Sequence, residues 1–146
     1  MPATPQNSRS WVWPILGLAI AGFVFFELLS RRIVYVVPDS YSGLIDVALD
    51  NQGNRLWPSF RGVVIHVPDS GLVHVRSFWL LSRWSVTAAR EKSGTELPVS
   101  ILGHPMIGRR LWLMYSTKKH CYRFVGTERE LDHFIEQHGI PWMRPD

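Results

Sequence analysis

Six histidines and one cysteine hold most of the latent chemistry in this chain of 146 residues. His66 and His74 flank a Pro68-Asp69-Ser70-Gly71 turn. If that turn closes a hairpin, loop parity decides what the two rings do. A four-residue loop pairs His66 with Val73 and sends the rings to opposite faces, whereas a five-residue loop pairs the two histidines directly. Either way, two imidazoles with no Cys or paired carboxylate at ligand spacing fall short of a metal site. No metal and no cofactor is expected. Cys121 excludes an intrachain disulfide and leaves open a cross-link between two copies. Its neighbours read as a strand, which makes it a buried structural thiol, since no partner motif for a nucleophile accompanies it.

Asp50-Asn51-Gln52-Gly53-Asn54 has a passing likeness to a calcium loop, but Arg55 stands at the sixth position and Arg61 at the twelfth, where Gly and Glu are needed. A hairpin or wide turn accounts for these residues. Gly-x-Ser-x-Gly, a phosphate-cradling glycine loop and a close carboxylate pair at a strand end are all missing from the sequence. The reading is therefore non-enzymatic. The alternative is a small membrane-associated, metal-dependent enzyme using His66, His74 or His104. The remaining signal is aromatic. Most of the aromatic residues are needed to fill the core of a small β domain, and Trp57, Trp79 and Trp142 are the candidates for an exposed contact surface.

The net charge of +4 lies after Ser30, because Arg9 and Glu27 cancel before it. The tightest basic clusters are pairs, Arg31-Arg32, Arg109-Arg110 and Lys118-Lys119, with no long basic run, so nucleic acid is not an expected partner.

These side chains must be positioned by two kinds of element. From Trp11 to about Leu29 the chain is apolar, with Glu27 as its single charge. Nineteen residues at 1.5 Å each reach about 28 Å, close to a bilayer's hydrocarbon thickness. The expected division is a tail over 1–10, a transmembrane signal-anchor helix over 11–30 and a β-rich domain over 31–146. Trp11 and Trp13 stand where an interfacial belt belongs, and Arg31 and Arg32 close the other end. Two rivals stand beside this reading: a signal peptide cleaved after Ala19-Ile20-Ala21, and a buried core helix of a soluble protein. The expected location is the cytoplasmic membrane, single-pass, with the domain extracytoplasmic. Its expected partners are the lipid bilayer and another envelope protein.

After Arg32 the pattern changes to short β-branched runs separated by Pro, Gly, Asp, Asn and Ser, which is strand-and-turn grammar. Strands are expected at Ile33 to Val37, Leu44 to Leu49, Val63 to Val67, Leu72 to Val75, Trp84 to Ala89, Leu97 to Leu102, Leu111 to Tyr115 and Cys121 to Val125, the last two forming a hairpin across Lys118-Lys119. A helix closes the domain, where Thr127 and Glu130 make a capping box and Leu131, Phe134 and Ile135 an apolar stripe. Val37-Pro38-Asp39-Ser40 and Val67-Pro68-Asp69-Ser70 form a near-repeat thirty residues apart, read as one strand-exit turn used twice. Gly43, Gly71 and Gly126 are the structural turn residues. The fold expected is an antiparallel β-sandwich of the transthyretin or immunoglobulin-like kind, with one N-terminal transmembrane helix and one short C-terminal helix.

Three stretches, Val37-Pro38-Asp39-Ser40-Tyr41-Ser42-Gly43, Val67-Pro68-Asp69-Ser70-Gly71-Leu72 and Phe124-Val125-Gly126-Thr127-Glu128-Arg129-Glu130, resemble in order and spacing the marks of an uncharacterised bacterial family catalogued as a numbered domain of unknown function. The resemblance covers about Val36 to Phe134. It implies an exported or membrane-anchored small domain with no assigned activity, cofactor or catalytic residue, and this chain lacks the cysteine that a lipid-anchored form would need.

Overall fold

In the computed structural model, residues 12–29, 32–57, 59, 62–82, 85–101 and 107–139 are described. The apolar run becomes helix α1, Val12–Leu29. Pro14 falls in its first turn, where an N–H would have no intrahelical acceptor. The runs of β-branched and aromatic residues become strands β1 (Arg32–Val37), β2 (Gly43–Asn54), β3 (Val63–His66) and β4 (Leu72–Val75). A single helical turn, α2 (Trp79–Ser82), leads into β5 (Val86–Glu91), β6 (Glu96–Leu97) and β7 (Val99–Ile101). Strands β8 (Arg110–Ser116) and β9 (His120–Gly126) form the hairpin across Lys118-Lys119, and helix α3 (Glu128–His138) closes the domain.

The strands do not make an antiparallel sandwich of the transthyretin or immunoglobulin-like kind. They make two mixed sheets around one core. The first has the order β3-β1-β5-β6 and the second β4-β2-β9-β8-β7. Strand β1 runs parallel to both β3 and β5, β2 parallel to β4, and β7 parallel to β8, while β2/β9, β8/β9 and β5/β6 are antiparallel. Inward-facing residues of both sheets, among them Tyr35, Ile65 and Ala89 from the first and Ile45, Val47, Val75, Leu111 and Val125 from the second, form one buried cluster.

The near-repeat is the physical reason for two of the parallel pairs, β1 with β3 and β2 with β4. Each Val-Pro-Asp-Ser turn carries the chain from the first sheet across to the second, instead of folding it back within one sheet. In both turns the amide three residues after the proline donates to the proline carbonyl, Tyr41 to Pro38 at 3.1 Å and Gly71 to Pro68 at 2.9 Å. The two resulting arches, β1 to β2 and β3 to β4, stack with Val36 beside His66 and Asp46 beside Leu72. Two arches of the same sense placed side by side pair their strands in parallel. No helical crossover is needed, because each arch returns through the opposite sheet.

The transmembrane helix is a second correction: no helix among the described residues is long and apolar enough to cross a membrane. Helix α1 has 18 residues, about 27 Å of rise against a hydrocarbon core of about 30 Å, and it contains Glu27. Trp11 and Arg31, two of the expected interface residues, lie outside the described residues. Within the domain, the wide turn expected at Asp50 to Asn54 is a bulge inside β2. Leu49 and Asn54 both stand opposite Val75, so the residues between them bulge, with the Gln52 amide held by Asp50 Oδ1 at 2.9 Å and Gly53 packed on the β4 backbone at His74 and Val75.

Helix α3 is capped by the reciprocal bonds its sequence calls for: Thr127 Oγ1 accepts from the Glu130 amide, and the Glu130 carboxylate accepts from the Thr127 amide at 2.7 Å. Leu131, Phe134 and Ile135 dock on Trp112, Phe124 and Met114, the outer face of the second sheet. Burying the Leu131 side chain in this way contributes about 2 kcal/mol.

Candidate binding groove at the sandwich edge

Strands β3 and β4 are the outermost strands of their sheets, and the Pro68 arch joins them, so both sheet edges lie along one side of the sandwich. Between them runs a groove of about 350 Å³. Leu56, Trp57, Val64, Ile65, Val73 and Val75 make its apolar lining, and Asn54, Arg55 and His66 are polar. The exit of β2 is pinned to the end of β4, since the Arg76 amide donates to Asn54 O at 3.0 Å and Arg76 Nε to Gly53 O at 2.9 Å. Leu56 then packs back on the core, and Trp57, next along the chain, stands out 72% exposed.

The ladder pattern sets which backbone groups point away from each sheet on this side. Val67 N donates to Val36 O at 2.9 Å, and in a parallel ladder alternate residues bond to the same neighbour. Ile65 and Val67 therefore face β1, while Val64 and His66 turn their N–H and C=O outward. By the same rule, the bond from Asp46 N to Gly71 O at 2.9 Å leaves Leu72 and His74 facing outward from β4, where the Leu72 amide donates to Ser70 Oγ at 3.4 Å.

The other expected site residues are not assembled here. Trp79, 57% exposed, sits on α2 and does not line the groove. Trp142 and His104 lie outside the described residues. His66 and His74 do not share a hairpin: they belong to different sheets, and both are exposed. Sequence reasoning missed a pair of histidine–carboxylate contacts on the second sheet's outer face. His120 Nδ1 lies 2.9 Å from Asp46 Oδ1 with its ring stacked on Tyr122, and His74 Nδ1 lies 3.2 Å from Asp50 Oδ2. The alternation of Asp46, Ala48 and Asp50 against buried Ile45 and Val47 carried that signal. Among the described residues no group of three or more metal-binding side chains forms.

Cys121 is buried in the core cluster, 3.9 Å from the Tyr35 hydroxyl and 3.4 Å from Ser116 Oγ. Burial pushes the Tyr35 phenol well above the usual tyrosine range, and the nearby Cys121 adds to the shift.

The three motif stretches meet at the arch end of the sandwich. Tyr41 donates its hydroxyl to Leu44 O at 2.7 Å beside Gly71. A Cβ on Gly126 would stand 2.7 Å from the Phe124 ring, 3.0 Å from Glu130 Oε2 and 3.1 Å from Ser42 Oγ, so only glycine fits. Arg109 bridges the Glu91 carboxylate and the Tyr41 carbonyl, and Glu91 also accepts from the Ser40 amide at 3.2 Å. Asp39 accepts from the Ser93 amide at 2.8 Å, and that bond holds its carboxyl below the usual range. These groups bond to one another and tie the arches together.

No known protein family and no curated protein matches the chain. Among solved structures, the "Putative Lipoprotein from Bacillus anthracis" superposes with a TM-score of 0.38 at 11% identity, over 80% of this chain and 82% of that one. A likeness that loose carries no shared fold or activity.

Proposed function

We propose that this protein is a non-enzymatic binding module of the cell envelope, held at a membrane surface by α1 and engaging another envelope protein through its β domain. The observation that carries this is the state of α1. Every described side chain from Trp13 to Phe25 is exposed, and Trp13, Ile15, Leu18 and Phe23 are each more than half so. Apolar residues surround the whole circumference of that helix. A helix of this kind is costly to leave in water and partitions into an apolar phase. Arg32 follows three residues after its end, placed to meet anionic headgroups. The open groove beside Trp57 supports the binding role. The clustering of the three motif stretches at one end supports reading their resemblance to the uncharacterised bacterial family as a shared architecture.

Flotation tests this reading. Full-length chain mixed with vesicles of phosphatidylglycerol and phosphatidylethanolamine rises with the lipid in a density gradient, and a chain beginning at Arg32 stays at the bottom. Full-length chain that stays at the bottom refutes it.

A further inference from the structure

We propose that the β3 edge takes up an extended, acidic segment of a partner protein by strand addition, with one of that segment's apolar side chains lodged in the groove beside Trp57. This rests on the reading of the chain as a binding module and adds what the module binds.

The backbone supplies the first argument. Val64 and His66 direct their N–H and C=O away from β1, two residues apart. That spacing, about 6.6 Å along a strand, matches successive same-side groups of an incoming extended chain. Edge strands in stable proteins are kept very short or guarded by lysine, proline or a bulge. Strand β3, Val63-Val64-Ile65-His66, is short at 4 residues but carries no lysine, proline or bulge.

The groove supplies the second argument. Its volume of about 350 Å³ is at the small end for ligand cavities, suited to one or two side chains. Its apolar lining, Leu56, Trp57, Val64, Ile65, Val73 and Val75, favours an aliphatic or aromatic residue.

Charge selects the partner. Arg55 is the one formally charged side chain among the described lining residues, and no carboxylate is among them. An acidic segment is attracted and a basic one repelled. A second copy of this chain is the other strand-bearing occupant, and the net charge of +4 on each copy works against it.

The test uses full-length chain in neutral detergent micelles and isothermal titration with three short peptides: alternating Val and Glu, alternating Val and Lys, and the Val–Glu peptide N-methylated at every second residue. The Val–Glu peptide binds, the Val–Lys peptide does not, and N-methylation weakens binding by about tenfold or more, as loss of interfacial backbone hydrogen bonds requires. Arg55→Glu and Trp57→Ala weaken it comparably. The proposal is overturned if the N-methylated peptide binds as tightly as the plain one, or if the lysine peptide binds equally well. It is also overturned if the chain dimerises and takes no peptide, which assigns the edge to a second copy. The methylated peptide leaves the protein untouched, so misfolding of a variant cannot imitate a positive result. Chain that floats on vesicles yet ignores the Val–Glu peptide keeps the membrane-held module and loses this groove; chain that takes the peptide but stays off vesicles does the reverse.

Discussion

The Tyr41 hydroxyl and Gly71 are packed against each other so closely that a Cβ on Gly71 would collide with that hydroxyl and with the Leu44 carbonyl it bonds. One arch is thereby seated on the next, and Gly71 also holds φ +74°, which favours glycine on its own account. Gly71→Ala is expected to cost about 2 kcal/mol or more, combining strain with collision. Gly43→Ala, where φ is +149° but the nearest atom to a Cβ lies 3.5 Å away, costs about 1 kcal/mol. Urea denaturation of the two variants measures the order, and equal, negligible effects would remove the stacked-arch account.

Helix α3 should be sensitive to acid. The Thr127 amide and hydroxyl hold the Glu130 carboxyl below its ordinary value. Its folded value is depressed, so its contribution is present above the unfolded carboxylate range, about 4.3, and is lost as pH falls through the lower folded value. Thr127→Ala costs about 1 kcal/mol at neutral pH. Melts recorded from pH 6 down to pH 3 should fall less steeply in Glu130→Gln than in the parent, and identical slopes would contradict the assignment.

At the alkaline end the sign reverses. Burial raises the phenols of both Tyr35 and Tyr41, so the folded chain keeps them neutral where the unfolded chain ionises. That stability is complete below the unfolded tyrosine value near 10 and declines as pH rises past it. Tyr35→Phe should flatten the loss of stability between about pH 10 and pH 11.5. An unchanged alkaline limb would mean that the core opens to solvent at Tyr35.

Docking of α3 is a packing event, and a cavity beneath it should show. Leu131 is 2% exposed against Trp112 and Phe124, and the indole of Trp112 donates to the Gly126 carbonyl at 3.0 Å. Leu131→Ala is expected to destabilise by about 2 to 4 kcal/mol. Half-buried Ile135 serves poorly as a control because it packs on the same cluster; exposed Glu136→Ala should change little. Comparable losses at Leu131 and Glu136 would contradict the docked helix.

The elements whose signals are local were legible in the sequence. Thr127 and Glu130 fix where α3 begins, and the alternation in β8 and β9 fixes their hairpin, because each partner lies within a few residues. Sheet assignment was not legible. Val37-Pro38-Asp39-Ser40 fits a hairpin turn and an arch equally well, and what decides between them is distant: Gly71 against Leu44, Arg109 against Glu91 and Tyr41, and Val36 beside His66. Trp57 was recognisable as a candidate for contact from its type and its place beside Pro58. Its groove was not, since β3 and β4 become neighbours only through the arch. The apolar run was legible, and it becomes a helix of 18 residues with Glu27 inside it.

The measurement that bears most directly on the membrane-held module is tryptophan quenching by lipids brominated along their acyl chains. Full-length chain on brominated phosphatidylglycerol vesicles should lose a large part of its emission, and changing Trp11 and Trp13 together to Phe should abolish most of that loss, leaving the domain tryptophans bright. Emission unaffected by the brominated lipid, or quenching that survives both substitutions, would place the lipid contact away from α1 or nowhere on the chain and contradict the account.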